Sequence, residues 1–249
     1  MKRFSVRQSL SAMKVGTDGT LLGALGGDLA LRQKAARILD IGTGTGLIAL
    51  MAAQKTEPLH AHIVGIETDH ASFEEARDNV LASPFRDRIE VIEGDFLHYL
   101  AEKPFDLILS NPPYFTATHG SEDERRTLAR HFGRLTPFSL LLKSSEMLGA
   151  DGRVMMIFPT NILGDFSAAA ERAGLRILSQ TMIHTTPRKS PKRVVATFGH
   201  KGDSSHLERL SSEDGACSLP SEETLTILDE LGAYTPGYRA LLSPFLTIF

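Results

Sequence analysis

Short apolar segments rich in β-branched residues alternate with helical segments along most of this chain. The first apolar segments are ARILDIG, HIVGIE, RIEVIEG and FDLILS. Segments with helical periodicity lie between the first three of them, at about 47–55 and 71–82. Alternation of this kind is typical of βαβ units, which build a parallel sheet covered by helices. The sequence therefore predicts an α/β fold in which the carboxyl ends of the strands share one edge of the sheet.

The second half of the chain departs from this alternation. DGRVMMIFP predicts a fifth strand, and RLTPFSLLLKSSEMLG and NILGDFSAAAERAG predict helices on either side of it. LRILSQTMIHTT and KRVVATFGH are separated only by PRKSPK, which indicates an antiparallel hairpin at a sheet edge. After a charged connector, TLTILDE predicts a last strand.

Length and composition fit one ordinary soluble domain. The chain has 249 residues, with 42% apolar and 23% charged residues, close to the globular average. We expect a single domain over 1–249, with an N-terminal cap at 1–34 over the first strand-to-helix loop and a catalytic core at 35–200. Residues 201–249 would supply the connector, an extra strand and a C-terminal segment.

The charge balance excludes a globally basic protein. Lys and Arg number 27 against 30 Asp and Glu, a net charge of −3, so any site for a polyanion must be local.

Cys217 is the single cysteine, the start has no apolar leader, and no apolar run approaches the ~20 residues that span a bilayer. We therefore expect a cytoplasmic protein with no membrane contact. We also expect no metal site, because the histidines are not spaced as metal ligands. The oligomeric state is open, with a monomer slightly favoured.

The loop DIGTGTG, from Asp40 to Gly46, joins the first strand to a helix. Its glycines at 42, 44 and 46 permit positive φ and let a ligand approach backbone N–H groups at a helix N-terminus. Their spacing is GxGxG, whereas the dinucleotide fingerprint needs GxGxxG, so a nicotinamide cofactor is disfavoured. The loop predicts a cradle for a nucleotide or a carboxylate.

Two acids stand at the ends of the next two strands. Glu67 ends HIVGIE, where a carboxylate can accept hydrogen bonds from two ribose hydroxyls, and Asp95 with Phe96 follows RIEVIEG. Open α/β sheets bind ligands at these carboxyl ends. The residues are candidates for the ligand site, although Asp95 is also placed to cap a helix.

The fourth strand ends in Asn111-Pro112-Pro113-Tyr114, the most informative motif in the chain. The two prolines fix φ and donate no N–H, so the turn presents carbonyl oxygens beside the side-chain oxygen of Asn111. Acceptors next to an aromatic ring suit a planar amino group. Such an amine is a weak nucleophile, and positioning by two hydrogen bonds would help it attack an electrophilic methyl group.

These motifs in this order resemble the class I S-adenosylmethionine-dependent methyltransferases that modify amino groups. The segments FSVRQSLSAMKVGTDGTLLGA and RRTLARH are further similar to the bacterial tRNA(Val) (adenine-37-N6)-methyltransferase family. The resemblance covers nearly the whole chain and implies a Rossmann-like, mostly parallel seven-stranded sheet with an antiparallel edge hairpin and helices on both faces.

The resemblance also implies residue roles. S-adenosylmethionine would lie on the glycine loop under Lys14 to Asp18, with Glu67 on its ribose and Asp95 and Phe96 framing its adenine. Asn111, Pro112 and Tyr114 would receive a target adenine flipped out of the anticodon loop. The implied cofactor-binding residues are Lys14, Thr17, Asp18, Asp40, Gly42, Thr43, Gly44, Gly46, Glu67, Asp95, Phe96 and Asn111.

Two basic segments could hold RNA phosphates, although charge clusters on loops are often plain solvated surface. The candidates are Arg125, Arg126, Arg130 and Arg134 after the Asn-Pro-Pro turn, and Arg188, Lys189, Lys192 and Arg193 in PRKSPKR.

Other functions share the same chemistry or the same fold. A glutamine-N5 methyltransferase acting on release factors would fit the turn, but those enzymes carry a helical domain ahead of the glycine loop, and only 39 residues precede Asp40 here. Guanine-N2 methylation of ribosomal RNA and adenine-N6 methylation of DNA stay open. A binding module that has lost catalysis is disfavoured by the intact loop and Asn111.

Overall fold

The computed structural model describes residues 1–11, 14–113, 135–202 and 220–248. Its strands are β1 Arg37–Ile41, β2 His62–Glu67, β3 Ile89–Glu93, β4 Phe105–Ser110, β5 Leu148–Pro159, β6 Leu175–His184, β7 Arg193–His200 and β8 Ser221–Thr226. Its helices are α1 Thr17–Arg32, α2 Leu47–Lys55, α3 His70–Leu81, α4 Pro137–Met147, α5 Leu163–Arg172 and α6 Pro236–Leu242.

The strands form one mixed sheet in the order β3-β2-β1-β4-β5-β7-β6-β8. β1 to β5 pair in parallel with one another, and β7 is antiparallel to both β5 and β6. The α/β fold and the antiparallel hairpin of β6 and β7 are therefore confirmed, whereas the expected place of the hairpin at the sheet edge is wrong, since β8 is the edge strand. The sheet has eight strands rather than the expected seven, because β8 pairs in parallel with β6 and extends the same sheet.

The two faces of the sheet bury separate apolar clusters. On β4, Leu107 and Leu109 belong to the cluster that includes the buried residues of α1 and α2, whereas Ile108 belongs to the cluster that includes those of α4 and α5. In the second cluster, Phe158 and Phe166 stack with ring centroids 4.0 Å apart. A strand buried on both faces needs a continuous apolar sequence, which explains why FDLILS does not alternate with polar residues.

Helix α1 lies within the core, where the sequence analysis assigned its residues to a cap. A Cβ at Gly23 would come within 2.7 Å of the Met51 sulfur on α2, and one at Gly27 within 2.9 Å of the Lys55 Cβ. The glycines let the two helix backbones approach more closely than side chains would allow. Within the described residues, no helix is long and apolar enough to cross a membrane.

Two local expectations differ from the structure. The short helix expected in FLHYLAEK is a single 3-10 turn at Phe96–His98, which Asp95 caps through the Leu97 amide. The last strand begins at Ser221 and ends at Thr226, three to four residues before the expected bounds at each end, because its register on β6 starts at Ser179.

Because α1 and α2 are in close contact, we expect a Gly→Ala substitution to change the free energy of unfolding in opposite directions at Gly27 and at Gly164. Gly27→Ala should lower the free energy of unfolding, because the new methyl meets the Lys55 Cβ and overpacking costs about 1–3 kcal/mol. Gly164→Ala on α5, with nothing within 4 Å of the added Cβ, should raise it by about 0.4–1 kcal/mol. Urea denaturation of both variants tests this, and equal shifts would contradict the close helix contact.

Candidate active site

The parallel register brings the ends of three strands together. Ile41, the last residue of β1, pairs with Ile66 on one side and with Ser110 on the other. The hydroxyl of Ser110 also donates to the carbonyl of Ile41 at 3.1 Å. The residues that directly follow these three in sequence therefore lie together at one edge of the sheet. They are Gly42, Glu67 and Asn111.

The glycine loop is held in a conformation that only glycine adopts without strain. Gly42, Gly44 and Gly46 have φ of 68°, 56° and 79°. The amides of Gly42 and Thr43 both donate to the carbonyl of Ile66. A Cβ placed on Gly42 would meet nothing within 4 Å, so the space above the loop is open to a ligand.

Asp40 is fully buried beneath this loop. Its Oδ2 accepts hydrogen bonds from the Thr43 hydroxyl at 2.6 Å and the Ala49 amide at 3.1 Å, while Oδ1 has no hydrogen-bond partner among the described residues. Burial raises the pKa of the Asp40 carboxyl to about 7, the two hydrogen bonds oppose the rise, and the Glu67 carboxylate adds to it. A cationic ligand nearby would favour the ionised form.

Glu67 is nearly buried and fixed by three backbone amides. Its Oε2 accepts from Gly44 at 2.9 Å, and its Oε1 accepts from Thr68 and Asp69 at 2.9 and 3.0 Å. A carboxylate has about four acceptor positions, so one position is left for a ligand hydroxyl. The side chain is thus oriented toward the glycine loop before any ligand binds.

Asp95 and Phe96 follow β3 at the same edge. Asp95 accepts from the Leu97 amide at 2.9 Å and lies 3.2 Å from the His98 ring nitrogen, and Phe96 is buried against the second core cluster. The structure thus gives Asp95 the capping role weighed in the sequence analysis. Its carboxylate stays half exposed, so a contact with a ligand is compatible with the cap.

The Asn-Pro-Pro turn leaves β4 directly beside the glycine loop. Pro112 is buried, and Asn111 and Pro113 are partly buried. Tyr114 and the basic candidates Arg125, Arg126, Arg130 and Arg134 lie outside the described residues. The described part of the turn places an amide side chain and two prolines within reach of whatever the glycine loop holds.

A segment of the N-terminus, residues 7–11, is anchored on α3 by two buried side chains that sequence analysis missed. Glu75 accepts hydrogen bonds from the amides of Ser9, Leu10 and Ser11 and from both serine hydroxyls. Asn79 pairs with the backbone of Arg7 and donates to the Thr45 carbonyl in the glycine loop. No local motif marks either residue, because the serines that use Glu75 are more than 60 positions away.

Lys14, one of the residues predicted to cover the cofactor, and its neighbour Val15 form hydrogen bonds with residues 8 and 9 of this segment. The Lys14 ammonium donates to the carbonyls of Gln8 and Ser9 at 2.6 and 3.2 Å, and the Val15 amide donates to the Gln8 side chain. Thr17 is the first residue of α1 and is exposed. Asp18, on the same turn, forms an ion pair of 2.9 Å with Arg193 at the start of β7. This ion pair ties the start of α1 to the start of β7.

The four basic residues of the hairpin loop have different surroundings. Arg188 pairs with Glu230 at 3.1 Å and Arg193 pairs with Asp18, whereas Lys189 and Lys192 are exposed on the surface. Lys189, Lys192 and Arg193 line a cavity of about 470 Å³ with Pro159, Thr160 and Asn161 at the end of β5.

Comparisons with known proteins show the family to which this chain belongs. Residues 22–158 match the methyltransferase small domain family. A tRNA1(Val) (adenine(37)-N6)-methyltransferase of Bacteroides thetaiotaomicron is 43% identical over 85% of this chain and 87% of its own length. One of Porphyromonas gingivalis, with the same name, is 39% identical over 99% of this chain and 93% of its own. The chain belongs to the tRNA1(Val) (adenine(37)-N6)-methyltransferase family.

Solved structures confirm the class I methyltransferase fold. The chain aligns with a predicted O-methyltransferase from Agrobacterium tumefaciens at a TM-score of 0.62 and 21% identity, covering 91% of this chain and 96% of the other. It aligns with the glycopeptide N-methyltransferase MtfA, complexed with sinefungin, at a TM-score of 0.51 and 14% identity, covering 76% and 89%. At this identity, the likeness extends to the fold alone.

The residues present in this methyltransferase fit its cofactor, S-adenosylmethionine. The open space above Gly42 and the buried, unpaired Oδ1 of Asp40 are features that a bound ligand would use. Glu67 has a free acceptor position beside Gly44. Within the described residues, no group of three His, Cys, Asp or Glu side chains could hold a metal ion.

The Glu75 anchor predicts a loss of stability at low pH. Burial raises the pKa of its carboxyl, but hydrogen bonds from the Ser11 hydroxyl, the Leu10 and Ser11 amides and the Ser9 hydroxyl outweigh this and bring the pKa to about 2. A carboxyl with a lowered pKa stabilises the folded state above its unfolded pKa and loses this contribution as pH falls toward 2. Glu75→Gln should thus cost up to about 3 kcal/mol at pH 7 and less at pH 3.5, measured by urea denaturation. If Glu75→Gln lowers the free energy of unfolding by the same amount at pH 7 and at pH 3.5, the Glu75 carboxylate does not anchor the segment as described.

Proposed function

We propose that this methyltransferase transfers a methyl group from S-adenosylmethionine to N6 of adenine 37 in tRNA1(Val). The observation that carries the proposal is the register that sets Asn111 and Pro112 beside the glycine loop. Relatives that bear this name and share 35–43% of residues over most of the chain support the choice of substrate. The Asn-Pro-Pro turn supports an amino group as the methyl acceptor.

Asn111 and Pro112 position the amine in this proposal. The exocyclic amine of adenine has its lone pair delocalised into the ring and attacks poorly. The Asn111 Oδ1 and the Pro112 carbonyl accept hydrogen bonds from its two N–H groups, which localises the lone pair and aligns it with the methyl group. S-adenosylmethionine supplies that methyl on a positively charged sulfur. Orientation contributes most of the rate, and the methylated nitrogen loses its surplus proton to water after the transfer, so no strong base is needed.

Each cofactor-binding residue has a distinct task. The amides of the glycine loop receive the methionine end, Glu67 accepts from the ribose, and Asp95 and Phe96 border the adenine. Asp40 fixes the loop through Thr43 and Ala49. Lys14, Thr17 and Asp18 belong to the cap that we place over this site, with Tyr114 stacking on the target base.

We further propose that residues 1–249 act as one unit in the cytoplasm. The shared sheet and the anchor of the N-terminal segment on α3 support a single unit. A tRNA substrate also favours a cytoplasmic location. The basic residues of the hairpin loop and those at 125–134 are candidates for contacts with the tRNA.

The proposed roles predict that catalysis and cofactor binding separate by mutation. Asn111→Ala should reduce kcat by at least about 100-fold, because it removes one of two groups that orient the amine, and should leave the Kd for S-adenosylmethionine within about twofold. Gly44→Val should instead abolish cofactor binding, since a β-branched residue is strained at φ 56°. Calorimetric titration and single-turnover rates measure the two effects, and full activity of Asn111→Ala would disprove the positioning mechanism.

The substrate is tested by methyl transfer from radiolabelled S-adenosylmethionine to unmodified total tRNA, followed by nucleoside analysis. We expect labelled N6-methyladenosine confined to one tRNA species, and a transcript with guanine at position 37 serves as the control. If cofactor binds but no label enters RNA, the proposed substrate is wrong, and ribosomal RNA, DNA and release factors are the next substrates to assay.

A further inference from the structure

We propose that the groove between Pro159–Asn161 and Lys189–Arg193 is a docking site for the phosphate backbone of the RNA substrate, held by Lys189 and Lys192. This inference rests on the proposed function and adds to it the surface that carries RNA affinity. The cavity measures about 470 Å³. Three of its eight lining residues are cationic and none is anionic.

The groove lies at the same edge of the sheet as the Asn-Pro-Pro turn. Ser110 pairs with Met156 on β5, and Pro159, three residues further, pairs with Arg193 on β7. At about 3.3 Å per residue, the groove begins roughly 10 Å from the turn. A nucleic acid whose base enters the site at Asn111 would therefore pass its neighbouring phosphates over the groove.

The walls of the groove are fixed by backbone hydrogen bonds. Thr160 donates through its hydroxyl to the Pro191 carbonyl at 2.9 Å and through its amide to the Lys192 carbonyl at 3.3 Å. His184 contacts the Lys189 carbonyl at 2.8 Å, and the Lys189 amide donates to Thr186. The loop thus presents its lysines from a defined backbone, which reduces the ordering cost of binding.

The cations around the groove divide into paired and available groups. Arg193 is balanced by Asp18, and Arg188 is balanced by Glu230 outside the groove. Among the described residues, Lys189 and Lys192 have no acidic partner within ion-pair distance, and both are exposed. Two such ammonium groups, next to the hydroxyl of Ser190, match phosphodiester oxygens rather than an apolar or cationic partner.

The acidic net charge makes this local arrangement more informative. A chain with charge −3 repels nucleic acid overall, so its RNA affinity has to come from a surface where cations are not balanced. Arg193 holds the hairpin to α1 through Asp18 and is a positioning residue for the groove rather than a phosphate ligand. Its ion pair also keeps the groove next to the cap over the cofactor site.

The test is the salt dependence of tRNA binding by the variant Lys189→Ala/Lys192→Ala. Counterion release gives a slope of log K against log salt of about −0.7 to −0.9 per phosphate contact. We expect the slope to become less steep by about 1.5 and the Kd to rise by about tenfold at ~100 mM salt. The Kd for S-adenosylmethionine and the melting temperature should stay unchanged, which excludes misfolding.

Lys34→Ala/Lys103→Ala is the matched control. Both lysines are exposed and lie before β1 and β4, at the opposite edge of the sheet, so this variant removes the same charge away from the groove. We expect its slope to equal that of the wild type. An unchanged slope in the groove variant, or an equal change in both variants, would overturn the proposal.

This experiment separates the groove from the proposed function because it measures binding rather than methyl transfer. If the wild type methylates tRNA while the groove variant keeps the wild-type slope, the groove proposal fails and the function stands. If the groove variant loses affinity as expected while the wild type transfers no methyl to tRNA, the docking site stands and the proposed function fails.

Discussion

The pairing of β1 with β2 and β4 is the constraint on which the rest of the site depends. Because all three strands run in parallel and Ile41 is level with Ile66 and Ser110, their chains leave the sheet at the same height. The glycine loop, Glu67 and the Asn-Pro-Pro turn become neighbours although Gly42 and Asn111 are 69 positions apart in sequence. A shift of one residue in either pairing would turn the strand-end side chains to the other face.

Two buried acids near this edge show how hydrogen-bond donors decide the state of a carboxyl group. Asp40 receives two donors and keeps one oxygen without a partner, so burial dominates and its pKa is raised. Glu75 receives five donors, three of them backbone amides, and its pKa is lowered although it is also buried. The first arrangement is suited to a ligand that completes it, and the second is complete and structural.

What the sequence could predict depends on how local the cause is. Apolar runs such as FDLILS mark the strands, and the glycine spacing and the Asn111 turn mark the site, because each acts through its own backbone geometry. The Glu75 anchor, the Thr160 contacts with the hairpin loop and the pairing of β8 with β6 join residues far apart, and no local pattern encodes them. Arg193 shows the same limit, since its ion pair with Asp18, 175 positions away, gives it a different role from the exposed lysines before it.

The first residues of the chain complete their contacts on its last ones. The Lys2 amide donates to the Phe245 carbonyl at 2.7 Å, and its ammonium donates to Ser243. During synthesis, residues 7–11 can dock on Glu75 and Asn79 as soon as α3 has been made, whereas Lys2 finds its partners only after residues 243–245 have followed. The parallel sheet around β1 can assemble before that, whereas the contacts of Lys2 form only after α6 and the residues that follow it have been made. Lys2 is thus made 241 residues before the carbonyl that its ammonium contacts, although the segment that follows it can settle on α3 much earlier.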